Sequence, residues 1–63
     1  MNITKEAIEK SSLDERLKLV ITYRFGVDNK PRMTLEAVGK ILGVTKERVR
    51  QLEAKALSIL GIN

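Results

Sequence analysis

Gly43-Val44-Thr45 leaves three residues between two amphipathic segments, and so short a connection dictates how those segments can lie. Before it, Leu35, Val38, Ile41 and Leu42 recur at helical spacing behind a capping Thr34, which predicts a helix over 35–42 with those four on its buried stripe. After it, Val49, Leu52, Ala56, Leu57 and Leu60 fall at i, i+3, i+7, i+8 and i+11. Thr45 stands at the cap position, so a longer helix is expected over about 46–60. Helices joined this closely must cross steeply, which is the helix-turn-helix arrangement. Gly43 permits the turn, Gly39 permits close contact between the helices, and Val44 plugs the corner.

The rest of the chain has to support that pair. Ile3 to Lys10 reads as a short helix with Ile3, Ala7 and Ile8 on one side. Ser12, three residues before Glu15, has capping-box spacing and is expected to start a second helix. Leu13, Leu17, Val20, Ile21, Tyr23 and Phe25 supply its apolar face, and Gly26 stops it. The stretch Gly26-Val27-Asp28-Asn29-Lys30-Pro31-Arg32 collects turn formers and reads as a loop between two halves, neither of which closes a core alone. The expectation is an all-α fold, a small helix-turn-helix bundle of three to four helices unrelated to winged helices, with 1–63 forming one domain. With 3% aromatics, its core rests on Leu, Ile and Val.

Side-chain chemistry removes several function classes. The chain has no Cys and no His, so thiol nucleophiles, disulfides, imidazole bases and the usual zinc ligands are absent. Asp14-Glu15 and Asp28 suit caps and turns, not a catalytic pair. No enzymatic activity, cofactor or metal is expected. The longest apolar run is three residues, too short to cross a membrane, and the N-terminus lacks the order of a signal peptide, so a cytoplasmic location is expected. Twelve Lys and Arg against eight Asp and Glu give a net charge of +4, which suits a polyanionic partner. The charge is spread evenly, so any footprint must come from local arrangement.

The last helix provides one. With Val49 at the origin and about 100° per residue, the apolar set clusters within about 80°, whereas Glu47, Gln51, Ala54 and Ser58 lie opposite. Arg50 flanks that ridge on one side; Arg48 and Lys55 flank it on the other. A short polar crest between cations is what a helix needs to read a major groove. Gln pairs with adenine edges, Glu accepts from the cytosine amino group, and Lys or Arg serves guanine or phosphate.

Thr34-Leu35-Glu36-Ala37-Val38-Gly39-Lys40, followed by Val44-Thr45-Lys46-Glu47-Arg48-Val49-Arg50-Gln51-Leu52-Glu53-Ala54-Lys55-Ala56-Leu57, closely resembles region four of the primary bacterial sigma factors. Tyr23-Arg24-Phe25-Gly26-Val27 is similar to that family's segment before the loop, so the resemblance covers about Leu13 to Leu57. It implies binding to the promoter −35 element in double-stranded DNA, in association with core RNA polymerase, to direct transcription initiation. By motif match, Lys46, Glu47, Arg50 and Gln51 would face base edges, with Arg50 serving bases or phosphate. Arg48 and Lys55 would contact the DNA backbone. Thr34, Leu35 and Glu36 would offer backbone N–H groups to phosphate, as helix N-termini can. The resemblance further implies an apolar groove for the flap tip of the polymerase β subunit, with Leu17, Val20, Ile21 and Phe25 as its wall, and it admits anti-sigma or activator proteins as partners.

Two departures stand out. Lys46 replaces the family's usual Arg and loses the bidentate fork. Ser58-Ile59-Leu60-Gly61-Ile62-Asn63 carries no cation where the family continues with a basic tail. The expectation is weaker, less salt-sensitive DNA binding, with Ile59 and Ile62 packed on the domain or on a partner. Two alternatives are a stand-alone, dimeric helix-turn-helix regulator and a polymerase- or anti-sigma-binding adaptor with little DNA binding.

Overall fold

A computed structural model describes residues 3–61, and Ile62 lies outside them. Four α-helices follow in order: α1 (Lys5–Lys10), α2 (Glu15–Phe25), α3 (Leu35–Leu42) and α4 (Lys46–Leu60). The described residues contain no strand. Each helix begins where a side-chain oxygen satisfies one of the N–H groups that its first turn leaves unpaired. Thr4 accepts from the Ala7 N–H at 3.0 Å, Thr34 from Ala37 at 3.1 Å, and Thr45 from Arg48 at 3.1 Å.

The start of α2 corrects the sequence reading. Asp14, not Ser12, is the cap, and its Oδ1 accepts from the Leu17 N–H at 2.9 Å. Asp satisfies the donor and also sets a negative charge against the positive end of the helix, which Ser cannot do. Ser12 is exposed, while the neighbouring Ser11 hydroxyl donates to the Ile8 carbonyl at 2.6 Å and closes α1. Moving the cap two residues on leaves Leu13 ahead of the helix, where it packs into the core at 5% exposure.

The stretch between α2 and α3 is better ordered than a plain loop. Gly26 ends α2 in the left-handed region at φ 64°, and Val27–Asn29 forms a single 3-10 turn whose Val27 is buried. Further on, the Met33 N–H donates to the Tyr23 carbonyl at 2.9 Å, and Arg24 Nη1 donates to the Met33 carbonyl at 2.8 Å. These bonds stitch the end of the loop to the end of α2 and fix where α3 begins.

Ile21, Val20, Val38 and Val49 are the largest fully covered side chains, one or more from each of α2, α3 and α4. α4 packs against both α2 and α3, whereas α1 rests on α2. Two expected core positions lie outside: Ile41 is 52% exposed, and Ala7 is exposed. α3 has only eight residues and packs chiefly on α4, so it buries a stripe through Val38 and Gly39 narrower than its apolar pattern. Ile59, expected to pack on the domain or on a partner, is 41% exposed on the domain.

Candidate nucleic-acid interface

The turn decides how α4 is presented. Val44 N–H donates to the Gly39 carbonyl at 2.9 Å, which folds the connection back onto α3. A Cβ on Gly39 would stand 2.6 Å from the Val44 carbonyl oxygen, closer than real contacts allow, so this position admits only hydrogen. The close approach is therefore helix against turn backbone, not helix against helix. Gly43 adopts φ 73°, where a side chain is strained even though nothing crowds it. Val44 is half-buried at the corner.

With α4 anchored through Val49, Leu52 and Ala56, its opposite face is open. Lys46, Glu47, Arg48, Arg50, Gln51, Ala54, Lys55 and Ser58 are all exposed. The face predicted from helical angles is thus the face left uncovered, and the protein's own atoms do not wall it in. Its side chains are organised among themselves. Arg50 Nε donates to both carboxylate oxygens of Glu47 at 3.1 Å, and Nη2 donates to Oε1 at 2.5 Å. These hydrogen bonds, helped by the charge attraction, hold the Glu47 carboxyl below its ordinary range and push the Arg50 guanidinium further up. Arg48 Nη1 leans toward Gln51 Oε1 at 3.4 Å, a weak contact that a base edge can displace.

The N-terminus of α3 lies at the surface. The Thr34 hydroxyl oxygen is occupied as a cap acceptor, although its proton is free to donate elsewhere. The Leu35 side chain is partly buried against the core. Glu36 is exposed and pairs with Lys40 at 3.8 Å, so its carboxylate stands near the helix end that the sequence assigns to phosphate. The Glu36 side chain therefore cannot serve that role, which falls to the backbone N–H groups and the Thr34 hydroxyl proton.

Of the four side chains expected to wall an apolar groove, three are core. Leu17, Val20 and Ile21 are 3%, 0% and 0% exposed, covered by the domain's own helices. Phe25 is partly buried and keeps some free surface. The sequence could not separate groove from core because both require the same apolar spacing.

One pairing escaped the sequence reading. Arg24 Nε donates to Glu53 Oε1 at 2.7 Å, joining α2 to α4, with side chains only 28% and 16% exposed. A signal existed. Glu53 lies about 40° from Val49 on the helical wheel, on the covered face, where a carboxylate requires a partner. The same Arg24 holds the Met33 carbonyl, so one guanidinium ties together α2, the loop before α3, and α4.

Comparison with known proteins agrees with this geometry. The family model described as sigma-70, region 4, matches residues 11–60. The chain is 51% identical over 57 residues to an RNA polymerase sigma factor SigA from a Bacillus species, and 47% identical over 57 residues to the SigA of Listeria monocytogenes serovar 1/2a. Each alignment covers 87% of this chain but 15% of the relative, so the chain spans a small part of the length of the curated proteins it matches.

Proposed function

The chain belongs to the sigma-70 region 4 family, and from that premise we propose that it recognises the promoter −35 element and directs RNA polymerase to initiation sites. The observation that carries this reading is the uncovered polar crest of α4, with Glu47 and Gln51 on it, Arg50 on its flank and Lys46 exposed in the first turn, on the second helix of a helix-turn-helix with its apolar side locked to α2 and α3. Such a helix enters a major groove with its N-terminal turns foremost. Gln51 offers a paired acceptor and donor to adenine, Glu47 accepts from cytosine, and Lys46 and Arg50 donate to guanine. Arg48 and Lys55 contact phosphates on the flanks, and the backbone N–H groups at Thr34, Leu35 and Glu36 fix a further phosphate. The net charge of +4 draws the domain to DNA but carries no sequence information.

Docking on the polymerase β-flap is the second half of the proposal. Burial of Leu17, Val20 and Ile21 moves that contact to partly exposed side chains of α2, Phe25 among them.

Fluorescence anisotropy with −35 duplexes and scrambled duplexes, each with and without a β-flap fragment, tests both halves. Preference for the −35 duplex together with flap binding is the expected result. Equal affinity for both duplexes removes base recognition and leaves an adaptor. Sequence preference without flap binding, accompanied by dimerisation in analytical ultracentrifugation, indicates a stand-alone regulator.

A further inference from the structure

The groove-facing side of α4 contains one carboxylate, and both of its oxygens accept from an arginine one turn away. An exposed pair of this kind adds little to folding, because water weakens it and ordering two long side chains opposes it. Its geometry has another consequence. Glu47 takes the inner edge of the guanidinium, the Nε–H and one Nη2 N–H. Arginine has five N–H groups, so the outer edge, formed by Nη1 and the second Nη2 N–H, remains as a two-pronged fork. That fork matches the O6 and N7 of guanine. Glu47 Oε2 receives a single bond at 3.1 Å and keeps lone-pair capacity for a cytosine amino group.

We propose that Glu47 and Arg50 act as one composite reading head, in which the carboxylate aims the outer fork of Arg50 at a guanine edge while itself accepting from a cytosine amino group. The proposal rests on the −35 reading above and deepens it by coupling the two residues, so that Arg50 is held toward guanine by the Glu47 carboxylate. Glu47 serves as a positioning residue for Arg50 as well as a reader. The pair carries no net charge, so it neutralises no phosphate and releases no counterion. It therefore adds sequence discrimination without adding salt dependence, in contrast to Arg48 and Lys55. As the pair docks and water leaves, the two charges reinforce each other in a lower dielectric. The head is preassembled in the free domain, so little side-chain ordering remains for the moment of binding.

The test is a double-mutant cycle of Glu47→Gln and Arg50→Gln, read by selection from duplexes randomised across the −35 window and by salt titration on the preferred duplex. Glu47→Gln keeps the shape but releases the guanidinium. Discrimination at the guanine and cytosine positions should fall about tenfold. The slope of log affinity against log salt should steepen by about one unit as Arg50 turns to phosphate. The double variant should lose no more discrimination than either single one, and Glu47→Asp should restore part of the preference. Additive losses at separate base pairs, or an unchanged salt slope in Glu47→Gln, overturn the composite head while leaving −35 recognition intact. A wild-type domain that selects no sequence overturns the −35 reading itself. Circular dichroism of each variant separates these outcomes from unfolding, since all substitutions lie on the exposed face.

Discussion

Individual side chains on α4 divide by what they can touch. Gln51 has an amide whose acceptor is held only by the long contact from Arg48, so both of its hydrogen-bonding atoms are available to an adenine edge. Gln51→Ala should therefore weaken binding to the preferred −35 duplex by about 1–3 kcal/mol and barely alter binding to scrambled DNA. Competition anisotropy measures both, and equal losses on the two duplexes would contradict base reading. Arg48 and Lys55 lie exposed on the flank of the crest, where the proposed docking sets them against phosphate. Replacing either by Ala should weaken all sequences alike and reduce the salt slope by about one. A slope that does not move would take that side chain off the phosphate list. The hydrogen bonds from Arg50, and its charge, lower the Glu47 carboxyl from its ordinary range, so Glu47 stays ionised around neutral pH and anisotropy across that range should show DNA binding unaffected by its titration.

Elements are governed by their junctions, and the two glycines of the turn act for different physical reasons. Gly39 is helical, and what excludes a side chain is the Val44 carbonyl, 2.6 Å from where a Cβ would sit. Gly43 has open space around it but a left-handed backbone. The consequences separate cleanly. Gly39→Ala should destabilise the domain by about 1–3 kcal/mol through overpacking against rigid backbone. Gly43→Asn should be tolerated better than Gly43→Val, because Asn enters the left-handed region and β-branched residues resist it. Thermal denaturation of the three variants reads the order, and a Gly39→Ala melting point at the wild-type value would remove the assigned contact. The caps show a similar division. Thr34 and Thr45 were legible because each stands directly before an apolar repeat. Asp14 was not, because Ser12 and Asp14 both satisfy the local cap pattern and the choice depends on Leu13 reaching the core.

Across the whole molecule, 63 residues give a small core and a thin margin of stability. The radius of gyration is 10.7 Å, close to the roughly 10.6 Å of a compact chain this long, so the loop before α3 is folded in and does not trail. Arg24 is central to that compactness, because it bonds Glu53 and the Met33 carbonyl at once. Arg24→Met keeps the aliphatic stem but orphans both acceptors. A loss of about 1.5–3 kcal/mol is expected from hydrogen bonds to a charged group. Urea denaturation provides the measurement. Glu53→Gln should recover part of the loss in the Arg24→Met background, since it removes the unpaired charge. If Arg24→Met retains wild-type stability, the junction of α2, loop and α4 is held by apolar packing alone.

Local chemistry determined the helices and the crest of α4. Periodicity places Val49, Leu52 and Ala56 on one side and Glu47, Gln51 and Ala54 on the other whatever surrounds them, because both sets follow from 3.6 residues per turn. Caps and glycines then set the bounds of α3 and α4 to the residue. The tertiary structure decided which apolar stripes are covered and which long side chains meet. Leu17, Val20 and Ile21 became core and Ile41 became surface, and Arg24 found Glu53 across 29 positions of sequence. Those outcomes depend on the placement of neighbouring helices. A single helix's pattern records that a side chain is apolar or charged; the distance to its partner belongs to the packed molecule.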